Sequence, residues 1–390
     1  MTIVRTPVAL MALLALAAAA PVSAATLLVA VDGIDTADCG SKTAPCRSLS
    51  LAIAHSNPDD TIVVGPGRYG DIAEDGDFTD PGDETAEVDT GCDCMIHVDK
   101  RLTIVSRDGA AVTVLDARGA HVAVMLADQP GTVVGRKGKG FTLTGSADGD
   151  GFHSESDDIT VVGNLATRNG EDGIQASGLR VLVTDNRIIA NGGSGCHCSG
   201  NDSLFARNVV TDNGQGGIEA DAHNTLVANF AARNVGNGFD VEGGNLLKGN
   251  VAVGNTANGF LLFENNTATG NVAHGNHNGF LLQGDGNLLS KSSVAANFGV
   301  GVVAAGAGNR ITSTSLFGNA AGIVLVPGAN ANCGTLARAG ATLDVSASFW
   351  GAPDGPGADP ADDVCNELGG TTTVGVNASH EIKVKTIAGR

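Results

Sequence analysis

The segment from Asn245 to Asn265, NLLKGNVAVGNTANGFLLFEN, is one unit of a repeat that decides the fold of this 390-residue chain. Three columns of polar residues, mostly asparagine, recur in the same register. The first is Asn169, Asn191, Asn213, Asn234, Asn255, Asn276, Asn297 and Asn319, in steps of 22, 22, 21, 21, 21, 21 and 22 residues. The second is Asn164, Asn186, Asn208, Asn229, Asn250, Asn271, Ser292 and Thr314, and the third is Asn224, Asn245, Asn266, Asn287 and Asn309. Such a period predicts a solenoid.

Apolar residues alternate at period two inside each unit, as at Phe260 and Leu262 or at Ile323 and Leu325. Short alternating segments bounded by Asn and Gly are typical of β-strands separated by turns. The segments are too short for the crossover helix of a βαβ unit, and the leucine ladder of leucine-rich repeats is absent. We therefore predict a coil of three short strands per turn, with rungs about 4.8 Å apart. Stacked turn asparagines can hydrogen-bond to the rungs above and below, so their expected role is structural.

Both ends of the repeat carry further motifs. The stretch SKTAPCRSLSLAIAHSNPDDTIVVGPGRYG (Ser41 to Gly70) suits a capping helix in which Leu49 and Ile53 cover the open end of the coil. The stretch SFWGAPDGPG (Ser348 to Gly357) would place Trp350 against the last rung. With the repeat, these motifs resemble the right-handed parallel β-helix proteins of the pectate-lyase-like superfamily. The resemblance implies an all-β, single-stranded right-handed parallel β-helix. It leaves function open, because the superfamily contains lyases, hydrolases, epimerases and non-enzymatic proteins.

The first residues are predicted to direct export. Arg5 precedes an apolar stretch, and the small residues before position 25 suit cleavage after Ala24. The predicted organisation is a signal peptide (1–24), an N-terminal segment with the capping helix (25–60), the β-helix (61–345, with an acidic loop at 71–93) and a closing segment (346–390). We expect a soluble monomer, secreted or periplasmic, with no membrane span once the signal peptide is removed.

Charge excludes some partners. The chain has 23 Lys and Arg against 42 Asp and Glu, a formal charge of −19. Nucleic acids and anionic membranes are therefore not expected partners, because binding their phosphates requires basic residues. The stretch from Asp71 to Asp93 has ten acidic residues and no Lys or Arg. It fits no calcium-binding motif, and we interpret it as a solvated loop, with a lid over the binding groove as the alternative.

Eight cysteines are compatible with disulfides in an exported protein. Two pairs bracket the ends of the coil and are predicted disulfides: Cys39–Cys46 and Cys333–Cys365. Two Cys-x-Cys motifs, Cys92 with Cys94 and Cys196 with Cys198, have their thiols on inward positions of the repeat register. For these four residues we favour buried structural cysteines, because residues i and i+2 of a flat strand are marginal for a disulfide. A local disulfide and a metal site are the alternatives.

The outward positions give the best functional candidates. One column reads His153, Gln175, His197, Glu219 and Asp240, and the next reads Glu155, Ser177, Ser199, Asp221 and Glu242. We call these ten residues the acidic ribbon; both columns then turn mainly apolar, at Leu261, Leu281 and Phe263. The candidate catalytic residues are His153, His197, Glu219, Asp221, Asp240 and Glu242. No cofactor is expected; calcium is the one cation considered, with Glu219 and Asp240 as weak candidate ligands, because stacked like charges repel unless a proton or cation intervenes.

We expect this face to bind or process a polysaccharide or cell-envelope glycan, as polysaccharide lyases, epimerases and glycoside hydrolases of the superfamily do. In a hydrolase, two carboxyl groups would serve as general acid and base. Lyases and epimerases need a basic group or cation beside the substrate carboxylate, and the ribbon lacks Lys and Arg. The catalytic hypothesis requires a groove over His153, His197, Glu219 and Asp240. The alternatives are a solvated polar face and a non-enzymatic structural or partner-binding protein.

Overall fold

The computed structural model describes residues 24–75, 77–85, 91–118, 123–319, 333–357 and 361–384, and these residues form three long parallel β-sheets. Residues 1–23 of the proposed signal peptide lie outside the described residues, and so do Ile323 and Leu325. In each complete coil the chain contributes one short strand to each sheet in turn. All named strand pairs are parallel, so the predicted all-β parallel coil is confirmed.

The strands belong to three sheets. The first sheet contains β1 (Thr26–Val29), β2 (Thr61–Val64), β5 (Thr103–Ser106), β8 (Val133–Val134), β11 (Thr160–Val162), β14 (Leu182–Thr184), β17 (Leu204–Ala206), β20 (Thr225–Val227), β23 (Leu246–Lys248), β26 (Thr267–Thr269), β29 (Leu288–Ser290), β32 (Asn309–Thr312), β35 (Thr342–Ser346) and β37 (Thr371–Val374). The second contains β4 (Cys94–Val98), β7 (Ala123–Ala127), β10 (Asp150–Ser154), β13 (Ile174–Ala176), β16 (Cys196–Cys198), β19 (Ile218–Ala220), β22 (Phe239–Val241), β25 (Asn258–Leu262), β28 (Asn278–Leu282), β31 (Val302–Ala304), β34 (Cys333–Ala337) and β36 (Asp363–Asn366). The third contains β3 (Gly67–Gly70), β6 (Thr113–Asp116), β9 (Thr142–Thr144), β12 (Leu165–Thr167), β15 (Arg187–Ile189), β18 (Val209–Thr211), β21 (Phe230–Ala232), β24 (Val251–Val253), β27 (Val272–His274), β30 (Ser293–Ala295) and β33 (Ser315–Phe317).

The turn asparagines form buried hydrogen-bonded ladders, as predicted. The Nδ2 of Asn213 donates to Oδ1 of Asn234 at 2.9 Å, and the Nδ2 of Asn234 donates to Oδ1 of Asn255 at 3.0 Å. The residue with left-handed geometry is the one before the ladder asparagine, such as Arg233 (φ 56°) or Gly254 (φ 64°). Burying the amides is favourable because each one satisfies backbone groups of adjacent rungs.

Aliphatic and aromatic side chains fill the interior of the coil. Phe239, Phe260 and Phe280 are fully buried and stack on one another, with ring centroids 4.7 and 4.4 Å apart. Their equivalence in consecutive coils follows from the backbone register, which pairs Phe239 with Phe260 and Phe260 with Phe280. A residue one repeat along the sequence therefore lies directly above its equivalent.

A short helix, α1 (Leu49–His55), closes the N-terminal end of the core, and its Leu49 and Ile53 are buried as predicted. The side chain of Ser48 caps its first turn. At its other end the Nζ of Lys100 donates to the carbonyls of Ile53, Ala54 and Ser56 at 2.8–3.2 Å. Both ends of the helix therefore have partners for the backbone groups that helix ends leave unpaired.

The interpretation of the acidic loop as solvated fits Glu74, Asp75, Asp77, Asp80 and Asp93, which are exposed, but it is wrong for Asp71, Asp83 and Glu84, which are buried. Glu84 is buried, and its carboxylate accepts hydrogen bonds from the backbone N–H groups of Leu49 and Ser50 at 2.8 and 2.7 Å. Asp83 is buried too and accepts the N–H of Ile72 at 2.7 Å. The carboxylates replace water as acceptors, which accounts for buried acidic residues in this loop. Residues 76 and 86–90 of the loop lie outside the described residues.

The C-terminal end is closed by Trp350, which is fully buried and donates its Nε1–H to Oδ1 of Asn377 at 3.2 Å. Parallel pairing extends beyond the proposed range of 61–345 in both directions, since β1 pairs with β2 and β37 pairs with β35. Within the described ranges, no helix is long and apolar enough to cross a membrane.

All eight cysteines form disulfides. The predicted pairs Cys39–Cys46 and Cys333–Cys365 are confirmed. The preference for unpaired buried cysteines in the two Cys-x-Cys motifs is wrong, because each motif closes a local disulfide. Their Cα atoms are 5.2 and 5.5 Å apart, closer than the roughly 6.6 Å spanned by two residues of an extended strand, and within bridging range. The thiols are therefore not free to ligate a metal ion.

The two motifs also differ in burial. Cys196 and Cys198 are both buried in the main core, as the register predicts. Cys94 is buried in a separate small cluster with Ala123, and Cys92 is only partly buried. The expectation that Cys92 and Cys94 point into the main core is wrong: Cys92 precedes β4, and Cys94, the first residue of β4, packs with Ala123 in the separate cluster.

Candidate functional site

The acidic ribbon lies on the outer face of the second sheet in the predicted register. Backbone pairing aligns His153 with Gln175, and the column continues through His197 to Glu219 and Asp240. All five side chains are partly exposed, while the residues on either side of them in each strand are buried. The carboxylates of Glu219 and Asp240 therefore project from neighbouring rungs about 4.8 Å apart.

A further column of residues, missed from the sequence, supports these side chains. It lies three positions before the first column of the ribbon, where the chain enters the second sheet. Its members are Asp150, Asp172, Ser194, Gly216 and Asn237. The one signal for it in the sequence is local, since Asp150-Gly-Phe-His153 places a carboxylate three residues before a ribbon histidine.

Both ribbon histidines contact an aspartate of this supporting column. The Nδ1 of His153 lies 2.8 Å from Oδ2 of Asp150, and the Nδ1 of His197 lies 3.3 Å from Oδ2 of Asp172. The hydrogen bond to the aspartate is the largest cause that raises the pKa of each histidine, and it outweighs the opposing effect of burial. The side chain of Asp150 is 4% exposed and that of Asp172 is 14% exposed, so these contacts are shielded from water.

The two stacked carboxylates have different partners. The hydroxyl of Ser194 donates to Oε1 of Glu219 and accepts the backbone N–H of Gly216 at 3.2 Å. A Cβ at 216 would lie 3.0 Å from Oε1 of Glu219, so a larger residue there would require the carboxylate to shift. Asp240 accepts a hydrogen bond from Nδ2 of Asn237 at 3.1 Å. Burial raises the pKa of Asp240, which the neighbouring carboxylates raise further and the amide contact only partly offsets.

The outer column holds Asp221 and Glu242 without comparable support. Burial raises the pKa of Asp221, and the neighbouring His197 acts against that shift. Burial, followed by the charges of Asp221 and Glu264, raises the pKa of Glu242. These two carboxylates repel each other along the edge of the ribbon, and on geometry they are weaker candidates for fixed catalytic groups.

Two clefts border the ribbon, one at each end of its strands. A cleft of about 410 Å³ is lined by Asp172, Ser194, His197 and Glu219, among others. A second cleft, of about 550 Å³, is lined on the other side by Asp221, Glu242 and Glu264 together with neighbouring turn residues. The groove required by the catalytic hypothesis is thus present only in part: it covers His197 and Glu219, whereas His153 and Asp240 line neither cleft.

Among the described residues, no three His, Cys, Asp or Glu side chains of the ribbon lie close enough together to share a metal ion. The one such cluster in the ranges that the structure describes is Cys39, Cys46 and His55, and its two sulfurs are joined in a disulfide. Glu219 and Asp240 therefore lack a third ligand from the described part of the chain.

Beyond Asp240 the face becomes apolar. Leu261 and Leu281 continue the column and are partly exposed, whereas Val303 and Leu336 are buried although they occupy outward positions. These buried residues form a small outer core that is separate from the main one. The polar ribbon is therefore bounded on this side by hydrophobic surface.

Comparisons with known proteins agree with this architecture. A family model described as a right-handed beta helix region matches residues 137–234. The A-modules of the mannuronan C-5 epimerases AlgE6 and AlgE4 of Azotobacter vinelandii align with TM-scores of 0.60 and 0.57. Both are 15% identical to the chain; the alignments cover 83% and 85% of this chain and 91% and 92% of theirs.

The catalytic domain of a GH87 alpha-1,3-glucanase, solved with tetrasaccharides, aligns with a TM-score of 0.55 at 11% identity. That alignment covers 92% of this chain and 69% of the glucanase domain. No curated protein sequence matches the chain. The predicted handedness is confirmed, and the chain has the fold of a right-handed parallel β-helix.

Proposed function

We propose that this protein is a secreted or periplasmic glycoside hydrolase that binds a neutral polysaccharide across the acidic ribbon. The observation that carries the proposal is the pair Glu219 and Asp240, which project from adjacent rungs in unlike environments. Pairs of acids whose surroundings separate their protonation states are typical of acid and base partners in catalysis. The solved structures of similar fold support a glycan substrate, since their names refer to mannuronan and to a glucan.

The surroundings assign a role to each group. Asp240 is the general acid, because its raised pKa favours the protonated form that can donate to the glycosidic oxygen. Glu219 accepts the hydroxyl of Ser194, a contact suited to a carboxylate, and its neighbouring-rung position suits the short separation of retaining enzymes, so it is the nucleophile. Its oxygen bonds to the anomeric carbon as the glycosidic bond breaks and Asp240 protonates the leaving oxygen. Asp240 then takes a proton from a water molecule, whose oxygen bonds to the anomeric carbon and releases Glu219.

The charge of the face favours a neutral substrate. Neither column of the ribbon contains Lys or Arg, and the chain has a formal charge of −19. A polyuronate would meet the carboxylates of Glu219, Asp221, Asp240 and Glu242 without a basic residue of the ribbon to offset them. A glucan or another uncharged glycan avoids this repulsion.

Location outside the cytoplasm is supported by the four disulfides, because reducing compartments rarely maintain such bonds. The predicted signal peptide is consistent with this location.

The test is a panel of neutral and acidic polysaccharides, incubated with and without calcium, with new reducing ends as the readout. We expect turnover of a neutral glycan that does not need calcium. Glu219→Gln and Asp240→Asn should each lower kcat, Asp240→Asn by roughly 10²–10⁴-fold, the usual contribution of a general acid or base. Asp344→Asn is the control, since Asp344 is exposed on the first sheet. Calcium-dependent turnover of a polyuronate alone would contradict the proposal.

A non-catalytic glycan-binding or partner-binding role is the second candidate, and one observation favours it. Tyr69 and Trp350, the chain's single tyrosine and tryptophan, are fully buried, so neither offers an aromatic platform for a sugar. Glycan binding that survives in both variants without turnover in the wild type would establish this alternative.

A further inference from the structure

We infer that Asp150 and Asp172 are positioning residues, each of which fixes the orientation of one ribbon histidine so that its Nε2 is presented on the open face of the second sheet. The claim that the oriented histidines serve catalysis rests on the proposed function. The claim that each aspartate orients one histidine can be tested without a substrate.

Asp172 is itself held in place. Its Oδ1 accepts the backbone N–H of Ser194 at 2.6 Å, and its Oδ2 faces the Nδ1 of His197 at 3.3 Å. One carboxylate oxygen is thus anchored to the next rung, and the other is available to the imidazole. An acceptor at Nδ1 fixes the proton on that nitrogen, which leaves Nε2 as the exchanging atom.

Asp150 repeats the arrangement one rung earlier. Its Oδ1 accepts the backbone N–H of Asp172 at 2.9 Å, and its Oδ2 faces the Nδ1 of His153 at 2.8 Å. The two aspartates are consecutive members of the supporting column. This repetition argues against an incidental contact, because the same two-oxygen arrangement occurs at both positions where this column has an aspartate.

The surroundings of each histidine define what else can influence it. Asp172 on the preceding rung, Glu219 on the next rung and Asp221 beyond it all favour the charged form of His197. For His153 the corresponding groups are Asp150, Glu155 and Gln175. The hydrogen bond to Asp172 is the largest cause of the raised pKa of His197, so removing this carboxylate is the informative perturbation.

His197 also lies where a proton could be exchanged with the proposed reaction centre. It is directly paired with Glu219 in the sheet register, and both residues line the 410 Å³ cleft. Its side chain is 43% exposed, so the nitrogen that does not face Asp172 can reach solvent or a bound glycan. The arrangement suits a proton shuttle between solvent and the proposed reaction centre at Glu219 and Asp240.

The experiment is an NMR titration of the histidine side chains in the folded full chain, comparing the wild type with Asp172→Asn. The amide at 172 keeps the acceptor for Ser194 but presents an N–H donor to Nδ1, which reverses the tautomer. We expect the pKa of His197 to fall and its neutral form to carry the proton on Nε2, as reported by imidazole ¹⁵N shifts. Turnover should fall by up to roughly 10²–10⁴-fold with KM little changed.

Glu171→Gln is the matched control. Glu171 lines the same cleft and adjoins Asp172, yet it is not among the groups that shift His197. The control removes one negative charge from the cleft and should leave the His197 titration unchanged. Asp150→Asn, read at His153, tests the inference independently if Asp172→Asn does not fold.

The outcomes separate this inference from the proposed function. An unchanged pKa and tautomer of His197 in folded Asp172→Asn would overturn the positioning role, as would an equal shift in Glu171→Gln. A shifted titration in a protein whose wild type cleaves no glycan would support the positioning role and reject the hydrolase. A shifted His197 titration with full turnover would show that the positioned histidine does not serve the reaction, and would overturn the claim that it takes part in catalysis.

Discussion

Asn234 offers the sharpest test of the idea that stacked amides hold the coil together. Its fully buried Oδ1 accepts the backbone N–H and the Nδ2 of Asn213 at 3.1 and 2.9 Å. Its Nδ2 donates to the carbonyl of Val210 at 3.2 Å and to Oδ1 of Asn255 at 3.0 Å. The substitution Asn234→Ala removes all four hydrogen bonds without adding bulk.

The expected loss follows from which partners keep another bond. The Nδ2 of Asn213 still donates to the carbonyl of Ile188, and Oδ1 of Asn255 still accepts the N–H of residue 234. The N–H of Asn213 loses its amide partner, whereas the carbonyl of Val210 belongs to β18, whose backbone stays paired with β21. At roughly 1–3 kcal/mol for one orphaned buried group, the free energy of unfolding should fall by about 1–3 kcal/mol.

The assay is urea unfolding followed by circular dichroism at pH 7. Val235→Ala is the control, because Val235 is the next residue and is 61% exposed; it should change the free energy of unfolding by less than about 0.5 kcal/mol. Hydrogen exchange at the amide of Asn213 supplies a local readout and should accelerate in Asn234→Ala. A loss no larger than that of the control, with unchanged exchange, would refute the role assigned to the ladder.

Three further predictions concern the site, the core and the C-terminal end. Because folding raises the pKa of Asp240, the protonated side chain stabilises the fold below its ordinary pKa, and this stabilisation is lost as pH rises through the raised pKa. Asp240→Asn should therefore have a higher free energy of unfolding in urea than the wild type at pH 7, and this charge-dependent gain should be absent near pH 3. Phe260→Leu should lower the free energy of unfolding by roughly 1–3 kcal/mol, since two ring stacks worth about 0.5–1.5 kcal/mol each are lost; a cost near zero in urea unfolding would contradict this. Replacing Cys333 and Cys365 with Ser removes a link across 32 residues and should cost about 3–4 kcal/mol on the chain-entropy model, measured against the oxidised wild type; an equal unfolding midpoint for both proteins would count against it.

The sequence predicts the coil and the ribbon well because both depend on backbone register. Identical residues at a constant step, such as Asn213 and Asn234, reveal the period directly. Once the period is known, Glu219 and Asp240 must occupy neighbouring rungs on the outer face. Whether these carboxylates act in catalysis stays a prediction, since register alone does not determine chemistry.

The supporting column could not be predicted in the same way. Its members, among them Asp172, Ser194 and Gly216, differ in residue type from one rung to the next, so they form no visible repeat. Their function depends on side-chain rotamers and on contacts across a turn, such as that of Asp172 with His197. The interpretation of the Cys-x-Cys motifs failed for a related reason, because the strand contracts locally by about 1 Å from the extended geometry that the sequence suggests.

The helix α1 (Leu49–His55) and Trp350 have a consequence for how copies of this protein coexist in solution. Each rung presents the same backbone pattern to the next, so nothing in the strands themselves sets a final number of turns. An uncovered last turn would be a template on which another molecule could add its own strands and lengthen the stack indefinitely. The helix, through Leu49 and Ile53, and the tryptophan instead fill the apolar interior near the two ends, so the core of the coil does not offer another molecule a hydrophobic surface on which to stack.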